Sequence, residues 1–151
     1  MNANTTSSAP MTVADALTEA LADWNIGPVY GVSGANIEHF HDAIHRRADP
    51  RLWSVPAKSE SSAAFMADAQ VRMNGGLGVC CSTSGGAMLN LAVGVAEAYQ
   101  EGIPMLAVVG QPPTHLSGQG AFQDSSGLVG TVDAKGMWTA VSKHVECIES
   151  G

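Results

Sequence analysis

The sequence predicts an α/β fold: an open, doubly wound, mainly parallel sheet with helices on both faces. Short apolar runs of strand length alternate along the 151 residues with segments whose apolar residues recur every three or four positions. Such alternation is typical of βαβ units, in which a helix carries the chain from one parallel strand to the next. Since no internal repeat or domain boundary is visible, one domain is expected over residues 11–151, after a polar, flexible tail at residues 1–10.

Each predicted element is bounded by residues that start or stop it. Thr12 is the expected N-cap of the first helix, Gly27-Pro28 ends that helix, and Ser59 opens the third helix. In chain order, the sequence predicts a helix at 13–24, a strand at 28–32, a helix at 37–48, a strand at 52–55, a helix at 59–73, a strand at 77–83, a helix at 86–100, a strand at 105–110, a short helix near Ser125 and an edge strand at 141–148.

The predicted helix at 86–100 differs from an ordinary surface helix. Its larger apolar residues, Leu89, Leu91, Val93 and Val95, point to several sides, and Ala and Gly residues between them keep the helix slim. This pattern predicts a helix that is buried nearly all round. Because a domain of this size rarely encloses a helix completely, the pattern also indicates a partner chain.

The charge balance limits the partners and the location of the protein. Only 14% of the residues are charged, against about 25% in an average soluble domain, which again suggests a surface covered by another chain. The net charge of −7 repels polyanions, so neither nucleic acid nor an anionic membrane is expected as a partner. No apolar run has the length of a membrane span and residues 1–10 do not resemble a secretory signal, so a cytoplasmic protein is expected.

The cysteines do not have the pattern of a disulfide framework, and the histidines do not have the pattern of a metal site. The cysteine count is odd, and the adjacent pair Cys80-Cys81 is interpreted as core filling. His39, His41 and His45 lie on one predicted helix, where a solvated face is the preferred interpretation because no HExxH pattern is present. The sequence therefore assigns no metal ligand to this chain.

In a doubly wound sheet, ligands bind beyond the carboxyl ends of the strands, where the strand order switches. Four segments are expected there: 33–36, 56–60, 83–87 and 111–123. Glu60 either stabilises the N-terminus of its helix, by about 0.3 to 1 kcal/mol, or is a carboxyl group desolvated by a ligand or partner and used in proton transfer. Thr83-Ser84-Gly85-Gly86 is either a tight turn or an anion-binding loop, and it lacks the lysine of a P-loop.

Taken together, these segments resemble the pyrimidine-binding (PYR) domain of thiamine-diphosphate enzymes, the superfamily of acetolactate synthase and the 2-oxo-acid decarboxylases. The resemblance rests on three signatures in the family's order: Thr83-Ser84-Gly85-Gly86-Ala87-Met88-Leu89-Asn90, then Gly102-Ile103-Pro104 with Gly110-Gln111-Pro112, and Gly118-Gln119-Gly120-Ala121-Phe122-Gln123-Asp124. Glu60 precedes Thr83 by 23 residues and Gln123 follows it by 40, so the spacing also matches. The likeness covers about residues 11–148.

The resemblance implies a site and its chemistry. Glu60 matches the glutamate that hydrogen-bonds N1′ of the cofactor's aminopyrimidine and promotes the imino tautomer, which removes the thiazolium C2 proton. Glu60 and Gln123 are the residues assigned catalytic roles. The residues implied to bind thiamine diphosphate are Ser33, Gly34, Glu60, Thr83, Gly86, Asn90, Phe122 and Gln123. Mg²⁺ and the diphosphate are implied to be held by a partner.

The chain also departs from the family pattern. Ser59 stands where the family often has His, Gly86 replaces a Pro and is expected to loosen the turn, and Met88 is expected to add bulk near the pocket. The 151 residues include no segment expected to form the closing helix and strand of a PYR domain or a diphosphate-binding (PP) domain. The expected assembly is therefore a hetero-oligomer, α2β2, with a separate PP-domain subunit, without which this chain is inactive.

The reaction implied by the resemblance is decarboxylation of a small 2-oxo acid such as pyruvate, with transfer of the acyl-anion equivalent to a second carbonyl. A subunit of a simple decarboxylase of the sulfopyruvate type is the alternative within the superfamily. A noncatalytic regulatory or scaffold module and a truncated synthase are alternatives of other classes. The presence of Glu60 argues against the noncatalytic module.

Overall fold

Strands and helices alternate in the computed structural model, which describes residues 11–149, and the predicted α/β class is confirmed. The elements are α1 (Val13–Asp23), β1 (Gly27–Gly31), α2 (Glu38–Arg47), β2 (Leu52–Pro56), α3 (Glu60–Asn74), β3 (Gly78–Ser82), α4 (Gly86–Gln100), β4 (Met105–Val109) and α5 (Ala134–Ala140). A 3-10 turn at Thr114–Leu116 lies in the long loop between β4 and α5. The predicted tail at residues 1–10 lies outside the described residues.

The four strands pair in parallel in the order β2-β1-β3-β4. The chain runs outward from β1 to β2 and then returns past β1 to β3, so the direction of winding changes between β1 and β3. Such a switch leaves a crevice at the carboxyl ends of the two strands. The topology therefore places the candidate site beyond the ends of β1 and β3.

Helices cover both faces of the sheet, as predicted. The α1–α2 core lies on one face and includes Leu21 and Phe40, and the α3–α5 core lies on the other face and includes Leu91 and Trp138. Strand side chains enter the two cores alternately, because neighbours in a strand point to opposite faces. Among the helices of residues 11–149, none is both long enough and apolar enough to cross a membrane.

The central strand β3 contributes to both cores. Cys81 packs in the α1–α2 core and Cys80 in the α3–α5 core, and both side chains are fully buried. Burial raises the pKa of the Cys81 thiol to about 12, and it raises the pKa of the Cys80 thiol as well. Both thiols stay protonated and unreactive, and they fill the core as the sequence predicts.

The predicted starts of α1 and α3 are confirmed by their caps. In a capping box, the Asp15 backbone N–H donates to Thr12 Oγ1 at 3.1 Å and the Thr12 N–H donates to Asp15 Oδ2 at 3.0 Å. Ser59 caps α3 by accepting a hydrogen bond from the Ser62 N–H at 3.3 Å. This cap makes Glu60 the first residue of α3, shortly after the carboxyl end of β2.

The predicted short helix near Ser125 is wrong. Residues 122 and 123 form a turn, Ser126 forms an isolated β-bridge with Asp133, and Asp124 accepts hydrogen bonds from the Gly118 and Ser126 N–H groups at 2.6 and 2.9 Å. A side chain that satisfies loop amides in this way competes with a helix for the same backbone donors. The helix of this region is α5, which begins after its N-cap Asp133.

The predicted edge strand at 141–148 is also wrong. Val141 and Val145 pack against the α3–α5 core, and the residues around them have irregular structure without a strand partner. The alternation of apolar and polar residues reflects the packing of an irregular segment on that core. Periodicity reports which side chains are buried, and it does not distinguish a sheet ladder from other extended chain.

The prediction that α4 is buried nearly all round is wrong for the described chain. Leu91 and Val95 are buried in the α3–α5 core, whereas Leu89 and Val93 are 43% and 58% exposed. The exposed pair lies one helical turn apart, on one side of α4. Because the helix is apolar on that side too, its sequence shows no ordinary amphipathic pattern.

Candidate functional site

Three loops meet beyond the carboxyl ends of β1, β3 and β4. Thr83 lies in the loop after β3 and contacts the other two loops. The Asn36 backbone N–H donates to Thr83 Oγ1 at 3.2 Å, and Thr83 Oγ1 donates to Gln123 Oε1 at 3.3 Å. Two predicted site residues, Thr83 and Gln123, are thus brought into contact although 40 residues separate them in the chain. We call Asn36, Thr83, Ser84 and Gln123 the loop cluster.

Glycines allow the loops to approach closely. A Cβ atom on Gly34 would lie 2.7 Å from Thr83 Cγ2, so any side chain there would push the loops apart. Gly85 has a φ of +69°, and a Cβ atom on it would lie 3.0 Å from Gln123 Cβ. Glycine is favoured at residue 85 both for this backbone conformation and for the lack of space. These small residues therefore allow the loops to approach each other closely across the crevice.

Glu60 and Asn90 form a second contact, between two helices. Asn90 Nδ2 donates to Glu60 Oε2 at 2.6 Å, with Glu60 at the first position of α3 and Asn90 in the second turn of α4. Glu60 is half-buried and Asn90 is exposed. Because both oxygens of a carboxylate accept hydrogen bonds, a carboxyl group held through Oε2 still presents Oε1 to a ligand.

Close packing of α3 on α4 supports this pair. A Cβ atom on Gly94 would lie 2.6 Å from Ala64 Cβ, so a larger residue at either position would force the two helices apart. The first turn of α3 also stabilises a carboxylate at Glu60 through the helix dipole, as the simpler interpretation holds. The helix dipole alone does not explain why the Asn90 amide on α4 is hydrogen-bonded to Glu60.

The other predicted site residues are held less closely. Gly86 is the first residue of α4, one turn before Asn90, and the space around its Cβ position is open. Ser33 is exposed in the loop after β1, and Phe122 exposes 73% of its surface. Within residues 11–149, the side-chain hydrogen bonds of the candidate site residues form two groups, the loop cluster and the Glu60–Asn90 pair, with no bond between the groups.

The structure places two further residues, Met88 in a core and His115 on an exposed turn. Met88 is fully buried in the α3–α5 core, so the expectation that it adds bulk near the pocket is wrong. Its position two residues into α4 turns it toward the α3 side of the helix. His115 is exposed on the 3-10 turn.

Three residues that sequence reasoning did not assign belong to this network. Asn36 Nδ2 donates to Ser84 Oγ at 2.7 Å, and the Gly85 N–H donates to Ser125 Oγ at 3.0 Å. Asn36 had one sequence signal, its place in a loop at the end of a strand. Ser84 had a signal as part of the Thr83-Ser84-Gly85-Gly86 segment, whereas Ser125 had none, and the sequence did not indicate the partner of either because the partners are 48 and 40 residues away.

The histidines of α2 do not share one environment. His39 and His45 are exposed, but His41 is half-buried, so the prediction of a solvated face is wrong for His41. Its Nδ1 lies 3.2 Å from Ser54 Oγ and its Nε2 lies 3.6 Å from Cys81 Sγ. Burial lowers the pKa of His41. In the part of the chain that the structure describes, no three His, Cys, Asp or Glu side chains are grouped as metal ligands.

Known proteins share most of this domain. Residues 11–130 match the family model for the N-terminal TPP-binding domain of thiamine pyrophosphate enzymes. The probable acetolactate synthase large subunit of Methanocaldococcus jannaschii is 36% identical over 131 residues, which cover 87% of this chain and 20% of that protein. The mitochondrial acetolactate synthase catalytic subunit of Saccharomyces cerevisiae is 34% identical over 141 residues, which cover 93% of this chain and 20% of that protein. The chain spans about a fifth of the length of the curated relatives it matches.

Proposed function

The chain belongs to the thiamine pyrophosphate enzyme family, and on that basis we propose that it binds the aminopyrimidine ring of thiamine diphosphate at Glu60. The observation that carries the proposal is the 2.6 Å hydrogen bond from Asn90, which orients a half-buried carboxyl group near the carboxyl edge of the sheet. When bound, thiamine diphosphate supplies an acidic carbon that becomes a nucleophile toward a 2-oxo acid and accepts the electrons left by loss of CO2.

The residues around Glu60 fit an aminopyrimidine ring. Glu60 Oε1 is available to a ring nitrogen, and the carboxyl group holds or transfers a proton at that atom. Asn90 restrains the rotation of the carboxyl group through Oε2. The open space at Gly86 lets a flat ring approach the first turn of α4.

The loop cluster supplies the other side of the proposed site. Thr83 and Gly34 hold the loops together, and Gln123 is assigned to the reacting part of the cofactor and substrate. Phe122, 73% exposed, is an aromatic surface that bound cofactor would cover. Ser33, exposed in the first loop, lies at the rim of the proposed site.

A PP-domain subunit is the proposed partner, in a hetero-oligomer of α2β2 composition. The support for a partner is an exposed apolar surface on the two helices that carry Glu60 and Asn90: Phe65 on α3 is 44% exposed, and Leu89 and Val93 on α4 are 43% and 58% exposed. A subunit that covers this surface would also exclude water from Glu60, which strengthens hydrogen bonds and proton transfer there. The partner would hold Mg²⁺ and the diphosphate.

The proposed reaction is decarboxylation of pyruvate or a similar 2-oxo acid, followed by transfer of the two-carbon unit to a second carbonyl. The support is the naming of several relatives as acetolactate synthases.

The test compares two glutamates at the first position of a helix, Glu60 in α3 and Glu38 in α2. The chain is assayed with its co-purifying PP-domain polypeptide, thiamine diphosphate, Mg²⁺ and pyruvate. Glu60→Gln should lower pyruvate consumption by about 100-fold or more, because it removes the proton-transfer group. Glu38→Gln changes the same helix position at an exposed glutamate whose side chain has no hydrogen bond within residues 11–149, and it should leave the rate unchanged.

Complex formation is measured on the same variants by analytical ultracentrifugation. Both variants should assemble as the wild type does. Equal rates for Glu60→Gln and the wild type would refute the role of Glu60. A wild-type complex that binds thiamine diphosphate but consumes no 2-oxo acid would instead indicate that the chain is a noncatalytic module.

A further inference from the structure

Asn36 lies in the turn between β1 and α2 and contacts both of the other crevice loops. Its backbone N–H donates to Thr83 Oγ1 at 3.2 Å, and its Nδ2 donates to Ser84 Oγ at 2.7 Å and to the Phe122 carbonyl oxygen at 3.3 Å. Asn36 is half-buried and Ser84 is fully buried. One residue therefore joins the loops that follow β1, β3 and β4.

The chemistry of the partners determines the orientation of the Asn36 amide. A carbonyl oxygen only accepts hydrogen bonds, so the atom that faces Phe122 must be the nitrogen of the amide. That nitrogen carries two N–H groups, and they serve Phe122 and Ser84. A flipped amide would place its oxygen against the Phe122 carbonyl oxygen and lose that bond, although the Ser84 hydroxyl could still donate to it.

The peptide that follows Phe122 needs support from its surroundings. Gln123 has a φ of +57°, in the left-handed region that residues other than glycine adopt rarely. Such a conformation persists where neighbouring contacts hold it. Thr83 contacts the Gln123 side chain at 3.3 Å, whereas Asn36 holds the backbone immediately before it.

We propose that Asn36 is a positioning residue that holds the Phe122–Gln123 peptide in place before cofactor or substrate binds. The hydrogen bond to the Phe122 carbonyl restricts rotation of that peptide, and the same Asn36 nitrogen makes a separate bond to Ser84. Asn36 acts through residues 122 and 123 and does not itself need to touch the cofactor. The functional part of this inference rests on the proposed function, because that proposal assigns Phe122 and Gln123 to the cofactor.

The test separates the two hydrogen bonds of the Asn36 amide. Asn36→Asp keeps the size of the side chain and can accept from the Ser84 hydroxyl, but it places an oxygen against the Phe122 carbonyl. Ser84→Ala is the matched control, since it removes the other bond and leaves the contact with Phe122. Asn36→Ala removes both bonds and serves as the second variant if Asn36→Asp does not fold.

Amide hydrogen exchange of the whole chain, without cofactor, measures the positioning directly. Asn36→Asp should raise exchange in residues 121–126 by about fivefold to tenfold, the effect of losing one hydrogen bond. Ser84→Ala should raise exchange in that segment less than twofold. Unchanged exchange in Asn36→Asp, or an equal rise in Ser84→Ala, would overturn the proposal, because a general loss of stability affects both variants alike.

The assembled enzyme provides the second measurement. Asn36→Asp should raise the thiamine diphosphate concentration that gives half the maximal rate by about tenfold, with a smaller change in kcat. Faster exchange in residues 121–126 with an unchanged half-saturating concentration would refute the link to the cofactor. If the wild-type assembly itself shows no activity dependent on thiamine diphosphate, the proposed function fails, while the exchange result still decides whether Asn36 holds the peptide.

Discussion

The two sides of the crevice differ in how far the described chain completes them. On the loop side, polar groups satisfy one another, as Asn36 and Thr83 do. On the helix side, α3 and α4 pack closely but leave Phe65, Leu89 and Val93 exposed. The contacts on the loop side are thus made within the chain, whereas the helix side keeps apolar side chains exposed. In the proposed assembly, the PP-domain subunit would cover this helix side.

Two leucines of α4 provide the largest test of this difference. Leu91→Ala, in the α3–α5 core, should lower the free energy of unfolding by about 2 to 5 kcal/mol. Leu89→Ala, on the exposed side, should change it by less than about 0.5 kcal/mol and weaken association with the PP-domain subunit. Urea unfolding of the chain and ultracentrifugation of the complex measure the two effects. Normal association of Leu89→Ala would show that this side does not bind the partner.

Two glycines test how tightly the loop side is packed. A Cβ atom on Gly110 would lie 2.0 Å from the Asn36 carbonyl oxygen, so Gly110→Ala must displace backbone and should cost about 1 to 3 kcal/mol of unfolding free energy. Gly86→Ala is the control, because nothing lies within 4 Å of its Cβ position. The control should keep the wild-type stability. Equal midpoints of thermal unfolding for both variants would mean that the loops after β1 and β4 are not in close contact.

Mild acid should lower the free energy of unfolding less than the substitutions above do. The effect should arise from His41, which lies next to the carboxyl end of β1. Burial lowers the pKa of His41 below its usual 6.5, so the folded state binds protons less readily than the unfolded state. The stabilising effect of the neutral ring is complete above pH 6.5 and is lost as the pH falls below it. Unfolding in urea at about pH 7.5 and at about pH 5.5 measures this loss.

The control for this experiment is His41→Asn, which should lose less stability between the two pH values. Asp15 does not interfere, because its hydrogen bonds to Thr12 lower its pKa to about 2. An equal loss of stability in the wild type and in His41→Asn would contradict the role of His41. His39→Asn, at an exposed position, should behave as the wild type does.

Local signals in the sequence were sufficient for most of the elements. Thr12 and Ser59 cap their helices in the structure as their sequence positions predict, because capping depends on residues within one turn. The strand predicted at 141–148 was wrong because strand formation, unlike capping, depends on residues far away in the chain. Its alternating pattern reports burial, and the surface against which it is buried lies elsewhere in the chain.

The candidate site divides in the same way. The resemblance implies that Glu60, Thr83 and Gln123 are site residues, because motifs preserve residue type and spacing. It could not assign Asn36 or Ser84 to one network, since their hydrogen bond joins residues 48 positions apart. Such contacts depend on how strands are ordered in the sheet, and no short stretch of sequence records that order.

By itself, the sequence determined the α/β class, the starts of α1 and α3 and the family, because each depends on residue types at short or fixed spacing. The tertiary structure alone decided that Asn90 holds Glu60, that Asn36 joins three loops and that one side of α4 is exposed. The physical reason is that hydrogen bonds and burial act between atoms that are close in space. The parallel order β2-β1-β3-β4 brings distant parts of the chain to one edge of the sheet.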